Sequence, residues 1–350
     1  MRSNKVIQGW RAIAILMIFL AHTRTFIIED LTLFSDFGEK GVYIFIVISG
    51  VLLYQNSQTK NYAGSLKDGI KYALRKVKVL YPMHICLWLI MFLVTTTKDN
   101  LIRNIIFSLF NVTLTQSFIP FSGVINSFNG PSWYLSMCLL LWMLTPLFIK
   151  SATSLRSKNG QIAAKSFAIL LFIWVLWLNG AHLLMRIIEN NITFINIDWF
   201  ERWLVYSCPV LDFLIFAIAY WGCELFSGKH SRFKLVISII VIAGSIAIKG
   251  NIPLFYNIPF VVAIIYIITY SIDNQDTYFN KILCLDSIVF IGNISPYFFL
   301  IHGVVNLLIN RTRFVNLRPW VFVCSFMISF GLSSVLYFVS QNAKRRRDVK

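Results

Sequence analysis

Charge is scarce in this 350-residue chain: Asp, Glu, Lys and Arg make up only 13% of it, against 57% hydrophobic residues. That proportion excludes a soluble domain of this size, which needs about 25% charged residues to cover its surface. Cysteine is sparse as well. Its six copies, Cys86, Cys138, Cys208, Cys223, Cys284 and Cys324, are scattered through or beside apolar segments. With no C-x-x-C pair and no partner spacing, they exclude a disulfide framework and a zinc site and read as small core hydrophobes. There is no glycine-rich phosphate cradle and no G-x-S-x-G elbow, and the chain ends about ten residues past its last apolar run with "QNAKRRRDVK". Any chemistry must therefore sit among the apolar segments. Acidic residues are few too, 15 against 32 basic ones. The net charge of +17 lacks the basic face on a soluble domain that nucleic acid would require, so no nucleic-acid partner is expected. Anionic lipid headgroups are the simpler match.

What the chain has instead is long apolar runs. A bilayer core about 30 Å thick takes roughly 20 apolar residues per helix. On that measure ten spans are predicted, over 7–27, 40–55, 80–97, 131–149, 166–185, 203–222, 234–249, 252–271, 287–309 and 319–340. The second is short and the ninth is interrupted by Pro296. The 103–120 stretch is read as re-entrant or interfacial. The first run is about 20 residues long and lacks a small-residue cleavage pattern, so it is read as a retained helix and not as a signal peptide.

Loop charge sets the orientation. With both termini cytoplasmic, the inner segments, together with Arg11 and Lys234 at the inner ends of their spans, hold 22 of the 32 basic residues, while eight of the fifteen acidic residues lie outside, as the excess of Lys and Arg in inner loops requires. Two loops depart from this: the outer loop with Arg311, Arg313 and Arg318 is basic, and the inner 272–286 loop is weakly acidic. The expectation is an all-α, polytopic transmembrane bundle of about ten helices: residues 1–343 as one membrane domain, residues 344–350 as a basic cytoplasmic tail.

Ionisable groups at membrane depth are costly unless paired or hydrated, so each is a candidate for function. Four qualify: His22, His84, Asp212 and His302. In "RAIAILMIFLAH", Arg11 and His22 are eleven positions apart, about 1100° of helical turn, so they leave one face about 16 Å apart along the axis. Arg11 is either an ordinary basic flank or a group that grips a ligand. His22 is either a helix-pairing histidine or a reactive one. Lys71, Arg75 and Lys78 share one face at the cytoplasmic mouth of the third span, suited to phosphates or to anionic lipid, and Pro82 permits a bend beyond them. Ser295 and His302, seven residues apart, share a face of the ninth span, and His302 reaches a depth like that of His22. Asp212 must be protonated, paired or hydrated, whether it joins helices, orients a histidine or carries a proton.

Five motifs in order now resemble membrane acyltransferase family 3, whose members acylate sugars and other envelope molecules. "RAIAILMIFLAH" is similar to the first-helix signature of a basic residue, ten residues, then histidine. "GVYIFIVISGVLL" resembles the second-helix run that closes on Ser49 and Gly50. "LRKVKVLYP" resembles the basic stretch ending in Tyr and Pro, with Lys78 where arginine is usual. "GPSWYLSMCLLLWMLTPLF" is similar to the fourth-helix pattern, without the glutamate common just after it. "NISPYFFLIHG" looks like the late Ser and His element, with Phe299 where tyrosine is common. Together they cover most of residues 8 to 310.

The resemblance implies an integral protein, expected in a bacterial inner membrane, that moves an acyl group, most often acetyl, from cytoplasmic acetyl-CoA to a hydroxyl of a glycan or lipid-linked sugar. No metal is expected. It assigns His22, and with it His302, to the chemistry, either as base or as acyl carrier. Arg11, Arg75 and Lys78 would meet the phosphates of the acyl-CoA. Ser49, Trp133, Tyr134, Asp212 and Ser295 would line the pocket or the acceptor side. The competing reading is a transporter or flippase of lipid-linked sugars, against which stand the lack of an internal repeat and the basic-to-histidine stripe.

Overall fold

A computed structural model describes residues 2–27, 34, 36–58, 64–156, 161–191, 197–247, 257–311 and 318–348. Among the described residues there is no strand. The long elements are α1 (Arg2–Ile27), α2 (Phe37–Ser57) and α3 (Leu66–Thr95), followed by the short α4 (Leu101–Val112) and α5 (Ser122–Ile125). After them come α6 (Trp133–Arg156), α7 (Ile162–Asn191), α8 (Ile197–Arg202), α9 (Pro209–Phe226), α10 (Arg232–Ala247), α11 (Asn257–Asp273), α12 (Tyr278–Leu283), α13 (Asp286–Asn310) and α14 (Arg318–Asp348). Eight helical segments among the described residues are long and apolar enough to cross a membrane, with α11 a shorter apolar helix beside them. Each of the ten predicted spans coincides with a helix, in whole or in large part. Positions 252–256 of the eighth, and Arg313 of the basic outer loop, lie outside the described residues.

Two expectations shift, and a third is given its form. The third helix starts at Leu66, not at 80, because Ser65 caps it by accepting from the Asp68 amide and the basic residues that follow are good helix formers. The ninth span is not interrupted: α13 runs as one helix through Pro296. The 103–120 stretch becomes α4, whose 12 residues reach only about 18 Å and cannot span the bilayer. It is pinned to α3 by Tyr81 Oη donating to Val112 O (2.8 Å), by His84 Nε2 on Asn111 O (2.9 Å) and by Trp88 Nε1 donating to Ser108 Oγ (3.2 Å). His84 thus serves as a structural tie between helices.

The bundle has an inside and an outside. α1, α2, α9, α11 and α13 supply most of the buried core, whereas α3, α7 and α14 turn large apolar side chains outward, among them Leu93, Phe172, Leu176 and Phe338. A helix that is apolar all round belongs in the centre, and apolar outer faces suit lipid. With hydrocarbon on both sides of each contact, close approach of backbones replaces the hydrophobic effect as the force between helices. Gly292 in α13 lies so close to α1 that a Cβ there would run into the backbone oxygen of Gln8. At Gly50 in α2 a Cβ would stand 2.5 Å from the Phe216 oxygen of α9. Near the end of α6, Arg156 grips Glu224 of α9 through two nitrogens at 2.7–3.0 Å and lies over the rings of Tyr54, Tyr220 and Trp221.

Gly292→Val is expected to push α13 off α1 and lower stability by about 1–3 kcal/mol, the ordinary cost of overpacking. A fluorescence thermal melt in detergent checks this, with Gly244→Ala, at a position open to its surroundings, expected to leave the midpoint in place.

Candidate active site

α1 and α13 pack side by side, and that contact brings two histidines from positions 280 residues apart to one point. His22 Nδ1 lies 2.7 Å from His302 Nε2, and His302 Nδ1 lies 3.1 Å from the Phe298 carbonyl oxygen one helical turn back. A carbonyl oxygen only accepts, so Nδ1 of His302 carries the proton. In a neutral imidazole the other nitrogen is then an acceptor. His302 Nε2 therefore takes the Nδ1 hydrogen of His22, which leaves the lone pair of His22 Nε2 without a partner among the described residues. The two rings are nearly parallel, and Phe19, Phe298 and Phe299 pack around the buried His302 ring at 6.0–6.4 Å between centroids. His302 is held on every side. His22 opens into a cavity.

That outer cavity measures about 410 Å³ and is polar. His22 shares its wall with Arg24, Asp36, Glu39 and Arg202, with Asn126 and Ser207, and with the aromatic rings of Trp133, Trp199 and Tyr206. Tyr206 and Ser207 are placed by a π-helical turn, Trp203–Ser207, that ends at Cys208 just before Pro209. Such turns are uncommon and cluster at functional sites. Two indole donors brace it: Trp177 Nε1 to Leu204 O at 2.9 Å, and Trp203 Nε1 to Ser117 O at 2.8 Å.

A second, inner cavity of about 180 Å³ lies further along the bundle between α1, α2, α3, α6, α9 and α13. Its walls are mostly apolar, but four polar side chains reach it: Arg11, Ser49, Tyr134 and Ser295. Among the described residues Arg11 forms no ion pair, and its nearest polar contact is Gln8 Oε1 at 3.5 Å. A cation at membrane depth without a carboxylate is expensive. Ser295 is fully buried, and among the described residues its hydroxyl finds no hydrogen-bond partner, whereas Ser49 donates to its own helix at Phe45 O, 2.9 Å away. The Phe299 ring lines the inner cavity and stands 6.0 Å from His302 and 5.1 Å from Tyr134. It forms a wall one side chain thick between the inner cavity and the histidine pair.

The sequence-predicted residues thus divide. His22 and His302 meet. Arg11, Ser49, Tyr134 and Ser295 gather around the inner cavity, while Trp133, adjacent in sequence to Tyr134, faces the outer one. Arg75 and Lys78 are exposed on α3 outside both cavities, though Leu80, about 3 Å further along the helix axis, lines the inner one. Asp212 is fully buried in the first turn of α9 with both carboxylate oxygens unpartnered, and it lines neither cavity. Arg24, Glu39, Arg202 and Ser207 carried no sequence signal beyond lying in or near outer loops. Among the described residues no group of three or more His, Cys, Asp or Glu side chains is arranged to hold a metal ion.

Residues 4–338, nearly the whole chain, match the family model described as an acyltransferase domain, that of acyltransferase family 3. Neither the curated proteins nor the solved structures contain a significant match.

The tautomers can be read directly. In protein labelled with 15N-histidine, His302 is expected to show a protonated Nδ1 and an unprotonated Nε2, and His22 the same pattern. The five histidines are few enough to assign by single substitution. His22→Phe should alter the His302 Nε2 resonance and leave its Nδ1 proton in place.

Proposed function

We propose, since the chain belongs to acyltransferase family 3, that this integral membrane acyltransferase moves an acetyl group from cytoplasmic acetyl-CoA to a hydroxyl of a cell-envelope glycan or lipid-linked sugar. The observation that carries the reading is the His22–His302 hydrogen bond, whose tautomers leave His22 Nε2 as a free base on the wall of a polar cavity. A thioester is already activated, so the enzyme has to deprotonate the acceptor hydroxyl and steady the charge that develops.

The steps follow from the placement. The donor enters from the end of the bundle that holds Arg11, whose unpaired guanidinium suits an anionic or strongly polar part of the acyl-CoA, while Arg75 and Lys78 on the exposed face of α3 meet its outer phosphates. The apolar inner cavity takes the thioester end, with the Ser295 hydroxyl available as a donor to the carbonyl. The acceptor enters the outer cavity. Its aromatic walls pack against the C–H faces of a sugar ring, and its polar groups take up the ring's hydroxyls.

His22 Nε2 then removes the hydroxyl proton as the oxygen attacks the thioester carbon. The C–O bond forms, the C–S bond breaks, and the proton passes from His22 to the departing thiolate. While His22 is protonated, His302 Nε2 accepts its Nδ1 hydrogen and keeps the ring oriented, with the Phe298 carbonyl fixing the His302 tautomer behind it. Both termini lie on the cytoplasmic side in this reading, and the membrane is a bacterial inner membrane.

The test follows labelled acetyl from acetyl-CoA into the glycan and lipid fractions of membranes containing the protein. His22→Ala is expected to lower transfer about 100- to 10,000-fold, the usual worth of a general base. Arg11→Ala should raise the KM for acetyl-CoA by about 10- to 100-fold, as loss of a charge-assisted contact does. Full activity in His22→Ala, or no transfer from any CoA thioester by well-folded wild type, would sink the proposal.

A further inference from the structure

Charges of both signs line the outer cavity: Arg24 and Arg202 together with Asp36 and Glu39. Each acid has a polar partner of its own. Asp36 pairs with Lys40 at 4.0 Å, and Glu39 accepts a hydrogen bond from Asn257 Nδ2. The arginines have no such partner: among the described residues neither Arg24 nor Arg202 forms an ion pair with a carboxylate, and the contact of Arg24 is to the Ala21 carbonyl at 2.5 Å. Both line the same cavity as His22.

A second observation points the same way. Ser207, 2% exposed, lines this cavity, and among the described residues its hydroxyl has no hydrogen-bond partner. A buried hydroxyl left unpartnered is costly, so it is placed to meet something that enters. The local chain is built for this, because the π-helical turn that ends on Ser207 directly follows Arg202.

From this we infer that the outer cavity is a subsite for an anionic acceptor, in which Arg24, Arg202 and Ser207 bind a carboxylate or phosphate borne by the sugar whose hydroxyl is presented to His22. Guanidinium groups recognise both anions through paired N–H donors, and Ser207 adds a neutral one. The inference rests on the acyl-transfer reading for the role of His22. It adds to that reading the class of acceptor: an acidic or phosphorylated sugar in preference to a neutral one.

Binding is measured on the full chain in phosphatidylcholine nanodiscs, with glucose, glucuronate and glucose 6-phosphate as probes, by saturation-transfer NMR. The two anions are expected to bind about tenfold or more tighter than glucose, in keeping with a charge-assisted pair. Arg202→Gln and Arg24→Gln should each bring that ratio close to one, and Arg202→Lys should restore part of it. In parallel, the kcat/KM ratio for anionic over neutral acceptors with acetyl-CoA should fall in the same variants. A wild type that does not discriminate, or discrimination that survives both Gln variants, overturns the inference. Adding phosphatidylglycerol to the nanodiscs should leave the glucuronate affinity unchanged. Competition by that lipid would assign the arginines to a headgroup and overturn the inference too. Arginine-dependent anion binding without any acyl transfer would leave the subsite standing and remove the transferase reading. Transfer without anion selectivity would do the reverse.

Discussion

The hydrogen bond between His22 and His302 depends on how closely α1 and α13 approach, and most of the site depends on that bond. Its length of 2.7 Å is reached because Gly292 lets α13 settle against the backbone at Gln8. In hydrocarbon, where apolar packing gains little over lipid, such close backbone contact is what holds helices together. The same contact fixes the chemistry. The Phe298 carbonyl sets the tautomer of His302, His302 sets that of His22, and the unshared electron pair ends up on Nε2 of a residue that lines the outer cavity. A helix backbone thereby does the orienting that a carboxylate does in many histidine-based sites.

Around this pair the bundle separates two environments. The inner cavity is apolar with one cation, Arg11, and the outer cavity is polar with charges of both signs. Phe299 and its neighbour Tyr134 stand between, so the barrier to mixing is a few aromatic rings and not a full layer of protein. For transfer between an acyl-CoA on one side and a sugar on the other, such an arrangement keeps bulk water from the thioester while the distance to be bridged stays short. Among the described residues, polar groups that are costly in a membrane lie on both sides of it: Arg11 without an ion pair and Ser295 without a hydrogen-bond partner on the inner side, Ser207 likewise on the outer. Asp212 is a further one, fully buried behind both cavities, and nothing in the structure explains it.

Hydropathy and length were enough to read the helices, because a membrane span needs a minimum run of apolar residues whatever its neighbours are. Boundaries were less legible. The start of α3 at Leu66 rests on the Ser65 cap and on polar residues that are good helix formers, which a search for apolar runs passes over. Pro296 reads as an interruption in one dimension, yet α13 continues through it, since buried neighbours can hold a helix across one missing donor. Within the site, residues adjacent in sequence were the hardest to assign. Trp133 and Tyr134 share a motif, but successive helical positions differ by about 100°, so they face different cavities.

By itself the sequence determined the all-helical membrane class, the stripe joining Arg11 to His22, and the family resemblance, because each rests on local periodicity or on the order of short motifs along the chain. It took the packing of the helices to bring His22 to His302, to leave Arg75 and Lys78 outside both cavities, and to set Arg24, Arg202 and Ser207 around one cavity. The physical reason is that helical rotation can be computed within a helix but not between helices. Which faces meet is set by close backbone packing among α1, α2, α9 and α13, and that packing joins residues as far apart in sequence as His22 and His302, 280 positions.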